Sequence, residues 1–121
     1  MLKSRIFSKE IKIISFDVCN SLKDYATLHS LDKNQVIYYK GHYPYGIFIV
    51  SDGEILIEKS KRNKVIAKAP IILGYDSFIK NEKYSTTSIT LTKSNVFYIS
   101  KTRYYEEIHN KNEILNLFRN F

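Results

Sequence analysis

Every glycine and proline of this 121-residue chain falls within one central stretch: Gly41, Pro44, Gly46, Gly53, Pro70 and Gly74. Glycine reaches positive φ without strain, and proline fixes φ and ends regular pairing, so tight turns are confined to the middle. Both ends are left free to be helical. The residues between the breakers agree. Val36-Ile37-Tyr38-Tyr39 stops at Lys40-Gly41, and Ile47-Phe48-Ile49-Val50 stops at Ser51-Asp52-Gly53. Asp52-Gly53 predicts a hairpin into Glu54-Ile55-Leu56-Ile57-Glu58, with Ile55 and Ile57 facing inward, because both turn residues tolerate positive φ. Val65-Ile66-Ala67, Ile71-Ile72-Leu73, an alternation from Ser85 to Thr92 around Ile89 and Leu91, and Val96-Phe97-Tyr98-Ile99 complete the series. Short bounded strands at this spacing predict a mainly β fold, a sandwich or small barrel of the jelly-roll kind.

The flanks carry the helical period. Ser8 is the expected N-cap of a helix whose buried face is Ile11, Ile14, Val18, Leu22 and Tyr25. After Ile99 the period returns. Asn110 with Glu113 forms a capping-box pattern, and Ile114, Leu117, Phe118 and Phe121 lie at i, i+3, i+4 and i+7. A helix this short needs that stripe covered, by its own β-domain or by a second copy. The second case makes these four residues the dimer seam. With no repeat, low-complexity stretch or linker, residues 1–121 are expected to form one domain.

Composition removes several function classes. No apolar run approaches the roughly 20 residues that cross a bilayer. Lys3, Arg5 and Lys9 have no apolar stretch behind them, so no secretory signal is expected. Cys19 is the single cysteine, which excludes an intramolecular disulfide, a Cys-rich zinc site and a self-contained iron–sulfur cluster. A cytoplasmic address follows as the expectation. His29, His42 and His109 lack metal-ligand spacing, and no nucleophile elbow is present, so neither a metal site nor catalytic residues are expected. The net charge is +7, and Lys59, Lys61, Arg62, Lys64 and Lys68 form its one dense cluster. Between two strand patterns such a cluster reads as a solvated turn, with direct nucleic-acid binding as the alternative. The strand aromatics Tyr38, Tyr39, Phe48, Phe97 and Tyr98 are expected to pack the core, leaving Tyr43-Pro44-Tyr45 and Tyr104-Tyr105 for exposed contacts.

A helix, then strands containing Tyr39-Lys40-Gly41-His42, Ile47-Phe48-Ile49-Val50, Asp52-Gly53-Glu54 and Ile57, then closing helices, resembles the cyclic-nucleotide-binding-domain superfamily. The closest version is the sensor half of regulators of the catabolite-activator and fumarate–nitrate-reductase-regulator type. The resemblance runs from about Ile11 to Phe121. It implies a double-stranded β-helix, or jelly roll, flanked by an N-terminal helix and C-terminal helices, and a role in sensing rather than catalysis. It also implies a pocket, here at Gly74, Tyr75, Asp76, Ser77, Lys83, Tyr84, Ser85, Thr86 and Thr87. In nucleotide-binding members a Gly-Glu pair opens this loop, and a later arginine holds the cyclic phosphate through a planar fork. This sequence departs from that pattern. Tyr75 follows Gly74, Tyr84 stands at the arginine position beside Lys83, and no arginine occurs between Arg62 and Arg103. The expected function is ligand or signal sensing with a degenerate phosphate-binding cassette, no cofactor and little affinity for cyclic nucleotide. Expected partners are a small-molecule effector and a second copy, with DNA reached only through a segment absent from these residues, and no membrane. The alternatives are an interaction or dimerisation module with a vestigial pocket, and a basic nucleic-acid-binding protein.

Overall fold

In the computed structural model, which describes residues 10–110 and 116–118, nine strands form two sheets. They are β1 (Ile11–Ile13), β2 (Thr27–Leu31), β3 (Val36–Tyr38), β4 (Gly46–Asp52), β5 (Glu54–Ser60), β6 (Asn63–Lys68), β7 (Ile71–Leu73), β8 (Thr87–Thr90) and β9 (Ser94–Ser100). One sheet runs β1-β7-β4-β9-β2 and the other β3-β8-β5-β6, every pair antiparallel. Three helices flank them: α1 (Phe16–Lys23), α2 (Tyr75–Lys80) and α3 (Lys101–Asn110). The fold is the jelly roll expected.

Layering explains why some strands are continuously apolar and others alternate. In β4, Val50 points into a core between the sheets, with Ile55, Ile57, Ile71, Leu73 and Val96. Its neighbours Ile47 and Ile49 point the other way, into a second core with Leu22, Ile72, Phe78, Ile99 and Tyr104 under the helices. The larger sheet is therefore covered on both faces, and its central strands read as unbroken hydrophobic runs. The smaller sheet is covered on one face, so β5 alternates the buried Ile55 and Ile57 with the less buried Glu54, Leu56 and Glu58. Each of these fully buried Ile and Leu side chains contributes about 1.5–3 kcal/mol.

Four expectations need correction. The Asp52-Gly53 turn forms, with Gly53 at φ +113, and Ile55 and Ile57 are fully buried. It is a corner rather than a hairpin, because β4 and β5 lie in different sheets. Ile11–Ile13 is extended rather than helical, paired to β7 in the register Ile11 with Leu73 and Ile13 with Ile71. Ladder bonds and β-branched side chains favour that edge pairing over a helical turn. The helix starts later, capped by Ser15, whose hydroxyl accepts the Val18 N–H at 3.1 Å, and Ser8 lies outside the described residues. Asn110 is helical, within α3, rather than an N-cap, and Glu113, its expected capping partner, lies outside the described residues; the α3 start is held by Ser100 Oγ, which accepts the Arg103 N–H at 3.1 Å. Finally, Tyr39 is exposed while Tyr104 is buried, the reverse of what their neighbours in sequence suggest.

Candidate functional site

The centre of the site is a carboxylate. Glu10, immediately before β1, is 1% exposed. Its Oε1 accepts from Ser77 Oγ at 3.1 Å, from the Ser85 backbone N–H at 3.1 Å and from Ser85 Oγ at 2.7 Å. Its Oε2 accepts from Tyr38 Oη at 3.3 Å. A carboxyl group buried without partners costs several kcal/mol, and four converging donors offset that cost.

Local backbone geometry sets these donors in place. Gly74 takes φ +75, which turns the chain from β7 into α2, and its N–H donates to the Glu10 carbonyl at 2.9 Å. A Cβ there would stand 2.7 Å from Tyr84 Cε1, so the position requires glycine for both conformation and space. Asn81, at φ 54, ends α2 three residues past Phe78. The chain then returns through Tyr84, whose N–H donates to His42 O and whose carbonyl accepts from the Gly41 N–H, both at 2.9 Å. That pairing aims Ser85 at Glu10. The Tyr84 ring stacks on Tyr38, with centroids 3.8 Å apart and planes 17° off parallel. Burial, and then the Glu10 charge, push the Tyr38 hydroxyl far above its ordinary value, so it remains a proton donor. Tyr84 is raised in the same direction by the same two causes. Beside Tyr38 lie the fully buried hydroxyls of Thr86 and Ser88, which approach the phenol without closing a hydrogen bond.

The expected pocket residues divide. Gly74, Ser77 and Ser85 converge on Glu10, and Tyr84 and Thr86 lie behind them around Tyr38. The others are engaged elsewhere. Asp76 pairs with Lys12 at 3.4 Å, Lys83 Nζ sits over the Tyr43 ring at 5.6 Å, and Thr87 Oγ1 accepts the Lys40 N–H at 2.9 Å. Tyr75 shares a 3.1 Å hydroxyl contact with Tyr104 and stacks on Phe118, at 4.7 Å and 9°. Glu10 and Tyr38 are the site residues that sequence reasoning missed. Nothing marks them locally, since their partners lie 28 to 75 residues away.

Tyr38 and Tyr84 also line a cleft of about 430 Å³, with Phe48, Tyr98, His42 and Tyr43. The basic cluster Lys59 to Lys68 occupies the exposed β5–β6 hairpin at a sheet edge, where charge discourages edge-to-edge pairing. Of the C-terminal stripe, Leu117 is half-buried and Phe118 is buried, both on this chain's own helical core; Ile114 and Phe121 lie outside the described residues. Among the described residues no helix is long and apolar enough to cross a membrane.

Comparison with known proteins agrees with this geometry. A search of the curated proteins returns no match. Among solved structures, a bacterial protein from work on a cyclic-GMP-dependent signalling pathway regulating phytopathogenesis superposes with a TM-score of 0.77 at 10% identity, covering 88% of this chain and 89% of that one. A cyclic nucleotide-binding domain from Methylobacillus flagellatus gives 0.70 at 16% identity, over 95% and 72%. The catabolite activator protein of Thermus thermophilus gives 0.66 at 10%, over 88% of this chain and 52% of that one. At these identities the likeness is one of fold. Residues 28–111 match the family described as cyclic nucleotide-binding domain. That span is well over half of the sequence, and it includes Tyr38, Gly74, Ser77 and Ser85. The chain belongs to the cyclic nucleotide-binding domain family.

Proposed function

We propose that this chain is a ligand- or signal-sensing regulatory domain of a transcriptional regulator, taking a small anionic effector and using no cofactor. The observation that carries this is the convergence of Ser77 Oγ, Ser85 Oγ and the Ser85 N–H on one anionic oxygen. The cassette is degenerate in one respect: Tyr84, stacked in the core, stands where a guanidinium fork would neutralise a cyclic phosphate. Hydroxyl and N–H donors without that fork favour a small anion over a cyclic nucleotide held by charge.

The signal leaves through α2. Ser77 and Tyr75 share this six-residue helix, and Tyr75 contacts Tyr104 of α3 and Phe118. Displacing Ser77 therefore tilts the platform on which the C-terminal segment rests, and an effector that prefers one tilt shifts the population. With Phe118 engaged inside its own chain, a homodimer seam falls to Ile114, Leu117 and Phe121. DNA contact belongs to a segment other than these residues.

A second reading, a protein-interaction module with a vestigial pocket, draws on the Glu10 carboxylate filling the cradle and on the exposed Tyr43 and Tyr45. Thermal melting of the whole chain with millimolar cyclic AMP, cyclic GMP and a panel of phosphorylated metabolites separates the two. A rise in melting temperature selective for one compound supports sensing. Uniform indifference of both the wild type and a chain with the cradle vacated, Glu10→Ala, overturns it and favours the interaction module.

A further inference from the structure

Glu10 is held as a ligand is held. Three donors meet on Oε1 and one on Oε2, and they come from β3, α2 and the loop before β8, not from Glu10's own neighbours in sequence. The segment that carries it is the weakest attachment in the larger sheet. Among the described residues β1 spans three residues at the sheet edge, pairs with β7 alone, and leaves Ile13 80% exposed. Short edge segments open at lower free energy than the core strands they pair with. Behind the carboxylate the polar lining continues past Tyr38. Thr86 Oγ1 and Ser88 Oγ are fully buried and face the Tyr38 hydroxyl without closing a hydrogen bond to it. A phosphoryl group brings more oxygen acceptors than a carboxylate, so it can engage every donor that Glu10 engages.

We infer that Glu10 is a tethered anionic ligand, occupying the position a phosphoryl-bearing effector takes, so that effector binding and release of β1 from β7 are one equilibrium. The inference rests on the sensing role proposed above. A tethered competitor acts at an effective concentration on the order of millimolar. The apparent affinity of a free effector is reduced by the fraction of molecules in which β1 is open. The domain then answers only to effector present in excess, or to anything that draws the segment before β1 away.

Melting curves of the wild type, Glu10→Ala and Glu10→Gln, recorded in sodium phosphate, sodium acetate and sodium chloride at matched ionic strength, test this. Glu10→Ala is expected to melt lower than wild type in chloride and to regain several degrees in phosphate or acetate. The wild type, whose cradle is already filled, is expected to gain less in phosphate or acetate than Glu10→Ala does. A Glu10→Ala melting temperature indifferent to the anion overturns the inference. Should that variant not fold, Glu10→Gln retains the volume and is expected to show a smaller phosphate response; none overturns it equally. Hydrogen exchange needs no substitution: high phosphate should accelerate exchange of the Ile11 to Ile13 amides in the wild type, and unchanged exchange counts against displacement. The outcomes separate the two claims. Anion rescue of Glu10→Ala with no phosphorylated metabolite bound by either form leaves the tether standing and removes the sensing role. A metabolite bound equally by both forms does the reverse.

Discussion

Phe118 joins the C-terminal segment to the rest of the domain, and its removal has a calculable effect. The ring is 4% exposed, stacks on Tyr75 at 4.7 Å and meets Tyr104 edge-on at 5.6 Å and 65°. Deleting a buried phenylalanine to alanine costs about 3–5 kcal/mol, and aromatic pairs of this geometry contribute about 0.5–1.5 kcal/mol beyond area. Taking the lower end of that range, about 3 kcal/mol is expected for Phe118→Ala. Unfolding entropy of about 2.1 cal/mol/K per residue amounts to roughly 0.25 kcal/mol/K for a chain of this length, which converts the loss to a fall of about 12 °C. Phe118→Glu adds a charge to a seam of aromatic rings and should fall further. Calorimetric melts, run beside size-exclusion chromatography with light scattering, read both quantities. A lower melting temperature at unchanged mass is expected. An unchanged melting temperature, or a wild-type dimer that becomes a folded monomer, would show that Phe118 serves an interface between chains.

Other expectations concern the frame. Gly53→Ala places a Cβ 2.8 Å from Ser94 Cβ at φ +113, and should cost about 1–3 kcal/mol; an unshifted urea midpoint would contradict the strained corner. Tyr38 ionises far above its ordinary value when folded, because burial and the Glu10 charge oppose the phenolate, whereas the unfolded chain ionises near pH 10. Its contribution is therefore complete below about pH 10 and is lost above it at about 1.4 kcal/mol per pH unit. Tyr38→Phe should flatten the alkaline decline by that amount, and parallel urea-stability profiles from pH 9 to 11.5 would refute the linkage. Lys61→Ser with Arg62→Ser, both on the exposed hairpin, should change stability by no more than about 0.5 kcal/mol. Fluorescence anisotropy at 150 mM salt, on the order of physiological strength, should detect no tight duplex DNA binding by the wild type; submicromolar affinity would restore the nucleic-acid reading.

The β-roll was legible because burial leaves a periodic mark. Ile47 to Val50 is apolar on every position since both faces of β4 are covered, and Ile55 and Ile57 alternate since β5 has one covered face. What a pattern does not carry is which strand pairs with which. Asp52-Gly53 has the residues of a hairpin, yet here the same positive-φ turn sends the chain from one sheet to the other. Ile11 and Ile14 fit a helical spacing with Val18 and Leu22, but pairing across to β7 decided the conformation of Ile11 to Ile13. The loop from Gly74 to Thr87 was identifiable through its resemblance to a family, and Ser77 and Ser85 lie within it. The group they bind was not identifiable. Glu10 stands 67 and 75 residues from its serine partners, and a lone acidic residue before a short apolar run has no local signature.

Calorimetric titration of cyclic AMP into the wild type and Glu10→Ala tests the filled, arginine-free anion pocket most directly. Lacking a charge-assisted fork costs a buried phosphate about 2–5 kcal/mol, so the wild-type dissociation constant should be weaker than micromolar. Vacating the cradle should tighten it at least about tenfold, the factor that corresponds to 1.4 kcal/mol. Micromolar or tighter binding to the wild type, or one dissociation constant shared by both forms, would contradict the account.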